Sequence, residues 1–115
     1  MIATALALAL AEPAPAVTAG LYRTHQMEVG SELLLQPDGT FRYSLDYGAV
    51  SEAAQGHWRA KAGAVELDSE PLSIDILRQI ERTDAAFHGE RLPVDGGALI
   101  LQRWDTVFTF YRDDE

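Results

Sequence analysis

His25-x-Met27 is the pairing in this sequence with the chemistry of a metal site. Imidazole and thioether both suit copper(I), and positions two apart on one strand share a face. A third ligand would have to come from His57 or His88, the other two histidines. Three dispersed histidines without ligand spacing are equally what an exposed His and a core Met near a strand end would leave. His88 stands two residues from Glu90, an arrangement open to acid/base work, although the same spacing makes an ordinary surface pair on a strand. No serine sits in a nucleophile elbow, and no Gly-rich phosphate loop or paired-carboxylate signature occurs. With no Cys, thiolate metal sites, cysteine nucleophiles, disulfides and lipid-modified cysteines are all ruled out. The expectation is a non-catalytic protein without a cofactor. A copper-handling protein using His25 and Met27, or a small enzyme of unknown reaction, are the alternatives.

The aromatic residues form the second constellation. If the fold closes into a barrel, Tyr22, Tyr43, Tyr47, Trp58 and Trp104 are candidates to line a cavity for a small apolar ligand. Core filling is the simpler reading, because a domain of about 100 residues needs its large side chains inside. Leu33-Leu34-Leu35 and Phe108-Thr109-Phe110-Tyr111 place apolar groups on both faces of their strands. That suggests a covered outer face or a surface for an envelope protein partner.

A chain of 115 residues allows one domain, and 9 Lys+Arg against 18 Asp+Glu leave a formal charge of -9. So acidic a balance argues against nucleic acid or an anionic membrane as partner, since phosphate binding needs a basic stripe. Residues 1–11 are an apolar run ending in Ala9-Leu10-Ala11, which reads as the h-region and cleavage site of a secretory signal peptide. A cut after Ala16 is the alternative. Such a run is too short to span a bilayer, which takes roughly 20 apolar residues. Residues 12–19 then form a stiff Pro/Ala-rich leader, and residues 20–115 a single domain. The implied location is periplasmic or secreted, with no membrane insertion after cleavage.

The elements that must position these residues are short strands punctuated by Gly, Pro and Asp. Gly20 to His25 and Ser31 to Gln36 read as strands, followed by the turn Pro37-Asp38-Gly39. Thr40 to Tyr47 alternates with period two: Phe41, Tyr43, Leu45 and Tyr47 on one face, Arg42, Ser44 and Asp46 on the other. Ala49 to Gln55 reads as a polar connection. Gly56 to Lys61 and Ala64 to Asp68 form a second hairpin around Ala62-Gly63. Over Pro71 to Thr83, Leu72, Ile74 and Ile76 alternate as in a strand, whereas Leu72, Ile76, Leu77 and Ile80 fit a helix face capped by Ser69. The β-branched isoleucines and the all-β neighbourhood favour the strand. Ala85 to Leu92, a turn at Pro93 to Gly97, Ala98 to Trp104 and Thr106 to Arg112 complete the set. The fold expected is all-β, a single antiparallel meander of 7–8 strands forming a small lipocalin-like barrel or half-open barrel.

Gly20-x-Tyr22, Leu33-x-Leu35-x-x-Asp38-Gly39-Thr40-Phe41, Tyr47-Gly48, Gly56-x-Trp58 and Val65-x-Leu67 occur in that order. The pattern resembles small bacterial envelope proteins with lipocalin-like barrels, in particular the N-terminal domain of the copper-resistance and envelope-stress lipoprotein family. The resemblance covers about residues 20–68 and implies a barrel in the cell envelope. That family carries Cys-x-x-Cys between its first two strands and a lipid-modified Cys. Here Thr24-His25-Gln26-Met27-Glu28 stands in place of the former, and the latter is absent. The shared residues are turn and packing residues, which speak for fold and not for function. The function expected is a non-catalytic binding or interaction module.

Overall fold

The structure is a computed structural model that describes residues 17–113. The signal-peptide reading of residues 1–11, with its alternative cut after Ala16, lies outside the described residues.

Nine strands and one helix follow in order: β1 (Gly20–Thr24), β2 (Val29–Leu35), β3 (Thr40–Tyr47), β4 (Val50–Lys61), β5 (Ala64–Glu70), α1 (Ile74–Ile80), β6 (Thr83–Asp84), β7 (His88–Asp95), β8 (Ala98–Arg103) and β9 (Thr106–Arg112). Each barrel strand pairs antiparallel with the next, β5 passing to β7, and β1 pairs with β9 while β3 pairs with β4. The result is a closed eight-stranded up-and-down barrel with β6 added as an extra parallel strand on β4. Closure pairs the strand edges around the barrel, except along most of the β7–β8 seam, which is joined at two residue pairs only.

Two turns owe their shape to left-handed residues. Ala62 and Gly63 have φ 51° and 76°, and Gly96 and Gly97 have φ 59° and 87°, the mirror-image geometry whose twist suits a two-residue hairpin. In the β2–β3 turn Gly39 (φ 90°) donates to the Gln36 carbonyl, and the Asp38 carboxylate accepts from the Thr40 amide at 3.0 Å.

The alternation expected of Thr40 to Tyr47 holds: Phe41, Tyr43 and Leu45 point inward and are buried. Leu33 and Leu35 join them with Leu34 half-buried outside, and Phe108 and Phe110 point inward while Val107 and Tyr111 face out. Val65, Leu67, Phe87, Leu92, Leu99 and Leu101 complete the core.

Strand β4 crosses from one partner to another along its length. Gly56 pairs with Phe41 of β3 on one side and Ser69 of β5 on the other. A Cβ there would stand 2.0 Å from the Asp68 carbonyl oxygen, so the two backbones approach closely only because the residue is glycine.

Three expectations are corrected. Pro71 to Thr83 is not a strand: Ile74–Ile80 is a helix. Its cap is Ser73, not Ser69, with Oγ accepting from the Ile76 amide at 3.2 Å, and left-handed Glu81 ends it. No residue of α1 is buried, so local capping decided its conformation and the isoleucines found no strand partner to pack against. Ala49 to Gln55 is not a connection, because β4 begins at Val50. Glu52 and Ala54 point inward there, while Ala53 is covered by the excursion through β6. Strand β7 runs His88–Asp95, placing Pro93 and Val94 in the strand and only Gly96-Gly97 in the turn. Pro93 has no N–H to donate, and β7 and β8 pair only at Val94↔Leu99 and Asp95↔Ala98.

The two ends of the barrel differ. One carries the turns at 36–39, 62–63 and 96–97 together with both flanking chain segments, and its turns are polar or glycine-rich. The other carries the turns at 25–28, 48–49 and 104–105 and the α1–β6 excursion. The first is the polar end and the second the apolar end.

Candidate functional site

Just inside the apolar end lies a buried polar cluster. Arg103, the last residue of β8, makes a two-pronged contact with Glu52 of β4, Nε at 2.6 Å from Oε2 and Nη2 at 2.7 Å from Oε1. Arg103 Nη2 also donates to the Ala85 carbonyl at 3.3 Å, and the Tyr43 hydroxyl donates to Glu52 Oε2 at 2.9 Å. The guanidinium sits 5.2 Å from the Phe87 ring centroid and 4.9 Å from that of Trp104. The Glu52 side chain is only 4% exposed, against 20% for Arg103. Burial, and then the charge of Glu52, push the Tyr43 phenol far above its ordinary range, so it stays protonated and donating. The bond to Glu52 raises Arg103 further, keeping it cationic. Glu52 accepts three hydrogen bonds and is shut off from water, so it is poorly placed as a general base. Beyond Pro93 the β7–β8 ladder stops, and Arg103 of β8 lies over the ring of Phe87, the residue that precedes β7.

Above the cluster the surface exposes large apolar side chains. Among the described residues nine large hydrophobic side chains are exposed: Met27, Tyr47, Val50, Ile74, Ile76, Ile80, Trp104, Val107 and Tyr111. The first eight belong to turns, strand ends or the helix of the apolar end. Tyr111 lies on the outer wall of β9 and stacks with His25 of the β1–β2 turn, ring centroids 5.0 Å apart. Trp104 is 52% exposed although its backbone is left-handed (φ 57°), a conformation a non-glycine residue adopts at a cost of order 1–3 kcal/mol. Between α1 and the β3–β4 turn runs an open groove of about 810 Å³, floored by Ala49, Val50, Ile74 and Leu77 and edged by Arg78, Glu81, Arg82 and Asp84.

Arg82 fixes that groove to the wall. Its Nη1 donates to the carbonyls of Leu45 (3.1 Å) and Glu52 (3.3 Å), and its Nη2 meets Asp46 Oδ2 at 2.8 Å. The bond from Arg82, then that from Ser51, holds the Asp46 carboxyl below the usual range. A carboxylate depressed in the folded state contributes stability above its unfolded value of about 3.9, and that contribution fades as pH falls through the folded value. We expect Asp46→Asn to lose about 1 kcal/mol or less at pH 6, as for an exposed pair, and to show a shallower acid limb than the parent. Urea midpoints measured from pH 6 to pH 2 check this; parallel curves for the two proteins would contradict it.

The residues singled out in the sequence do not gather into one site. Tyr22 and Tyr43 are buried in the core, Tyr22 donating to the Thr18 carbonyl at 2.7 Å near the polar end. Trp58 is half-buried and clasps the β2–β3 turn, Nε1 to the Gln36 carbonyl at 2.8 Å. Tyr47 and Trp104 stand at the apolar end, both edge-on to Phe108 at centroid distances of 5.6 and 6.4 Å. His25 and Met27 fall in the turn after β1 rather than on a strand, and Met27 is 90% exposed. His57 and His88 lie across the outer wall, each opposite Asp68 in the ladder. Among the described residues no group of three or more His, Cys, Asp or Glu is placed to hold a metal ion.

Leu33, Leu35, Leu45, Val65, Leu67, Leu92, Leu99, Phe108 and Phe110 are all 0% exposed. A void large enough for water would leave accessible surface on the side chains around it, so none borders these. Set against protein-family models, curated proteins and solved structures, the chain matches none of them.

Proposed function

We propose that the protein is a non-catalytic interaction module of the cell envelope, periplasmic or secreted, that binds a protein partner through its apolar end. The observation that carries this reading is the segregation of exposed apolar side chains. Eight of the nine belong to one end of the barrel, while the turns at the other are polar or glycine-rich. Scattered surface hydrophobics are ordinary, whereas a gathered set marks an interaction surface. The filled interior favours a surface partner over an enclosed small apolar ligand. The apolar run of residues 1–11 supports export.

The test uses a photo-crosslinking side chain at position 74 in the groove, compared with the same group at position 95 beside the polar-end turn. Discrete protein adducts are expected from position 74 alone. Equal adducts from both ends would overturn the reading, and so would a small apolar molecule retained in native mass spectra. For the location, an exported protein beginning at Glu12 is the expected mass-spectrometric result; an uncut cytoplasmic protein would contradict it.

A further inference from the structure

We infer that the partner segment is cationic and amphipathic, a stretch of polypeptide that lays its apolar side in the groove between α1 and the β3–β4 turn. This rests on the interaction-surface reading above and adds the chemistry of the occupant. The floor of the groove, Val50, Ile74 and Leu77, offers apolar contact. Its rim sets Arg78 and Arg82 against Glu81 and Asp84, and the other unpaired charges of this end are acidic. Glu28, Asp75, Glu81, Asp84 and Asp105 all belong to the turns, the α1 segment or β6 at this end. None of the five makes an ion pair among the described residues. The cations there are mostly committed: Arg82 to Asp46, and Arg103 to Glu52. Arg78 is left as the one cation of this end without an ion pair among the described residues. Taken together the end thus carries more acid than base, and association with a basic segment is favoured both in rate and in choice of partner.

The same charge disfavours the other occupants. Two copies meeting end to end would bring like-charged ends together in a chain whose formal charge is -9. An anionic bilayer is repelled for the same reason. A small apolar molecule would remain partly in water, because the groove is open, and Trp104 and Val107 are exposed at the same end of the barrel. A polypeptide segment covers groove and flank together, in the manner of an amphipathic segment laid in an apolar channel.

The probe is a 14-residue Leu/Lys amphipathic peptide, with its Leu/Glu counterpart and vesicles of zwitterionic and anionic lipid as comparisons. Titration calorimetry at low salt should show the Leu/Lys peptide binding at least tenfold tighter than the Leu/Glu peptide. That advantage should shrink at physiological salt, where exposed charges are screened beyond about 8 Å. Ile74→Ser should weaken Leu/Lys binding at least tenfold with an unchanged thermal midpoint, since no residue of α1 is buried. The double variant Asp75→Lys/Glu81→Lys should shift preference towards the Leu/Glu peptide. Should both peptides bind alike, or charge reversal change nothing while Ile74→Ser still abolishes binding, the cationic class is wrong and the apolar surface stands. If Ile74→Ser has no effect on either peptide, both readings fall. Tighter association with either vesicle than with the Leu/Lys peptide would make the occupant a membrane and overturn the proposal.

Discussion

Gly56→Ala is expected to lower unfolding free energy by about 3 kcal/mol or more, at the top of the range for overpacked sites. The reason is geometric. Gly56 is the middle of the three residues, Gln55 to His57, at which β4 pairs with both β3 and β5, and the added methyl would fall 2.0 Å from the Asp68 carbonyl oxygen and 2.8 Å from the Ser69 Cα. Both are backbone atoms held in the ladder, so neither yields as the tip of a flexible side chain would. Relief requires β5 to move away. That in turn disturbs Asp68, whose carboxylate accepts from the Gly89 amide at 2.7 Å and helps seat β7. Urea unfolding reports the loss. Gly30→Ala is the internal control, because nothing lies within 4 Å of a Cβ there, and its effect should stay within about 0.5 kcal/mol. An unchanged midpoint for Gly56→Ala would mean that the strands do not cross so closely.

Arg103→Met should cost about 3–5 kcal/mol, the usual consequence of leaving one charge of a buried pair alone. Arg103 supplies two of the three hydrogen bonds accepted by Glu52, whose side chain is 4% exposed. Without it the carboxylate keeps only the Tyr43 hydroxyl, among Phe and Leu side chains that offer nothing in return. The double variant Arg103→Met/Glu52→Leu should recover most of the loss, because removing both charges also removes both desolvation costs. A double-mutant cycle by thermal or urea unfolding measures the coupling. Near-additive single effects would show that the pair is not coupled in the folded protein. Since small domains hold only about 5–15 kcal/mol in all, the single variant should also fold poorly near 37 °C.

Much of the barrel is readable from local chemistry. Pro37-Asp38-Gly39 and the alternation of Phe41, Tyr43 and Leu45 specify a hairpin because turn residues and period two agree. The errors have a common cause. Periodicity reports which side chains are buried, and α1 buries none, so its isoleucines carried no signal about a core and Ser73 and Glu81 decided the matter locally. Ala49 to Gln55 looked like a connection because Glu52 is charged and Ala53 and Ala54 are small. In the fold, Ala53 is covered on the outside by β6, and Glu52 is neutralised by a residue 51 positions away. No window along the chain contains that partner. The apolar end is equally illegible: Met27, Val50, Ile74 and Trp104 are distant in sequence and share an end only because, in a barrel with an even number of antiparallel strands, alternate connections fall on the same side.

That even count also governs how the barrel can be attached to anything else. Thr18 lies against Arg112, and the Asp113 amide bonds to the Leu21 carbonyl, so the described chain enters and leaves side by side at the polar end. A tether, fusion or anchor joined at either side therefore holds the barrel by its hydrophilic base. Trp104, Ile74 and Val50 are then carried on the far face, pointing away from the attachment and towards whatever approaches.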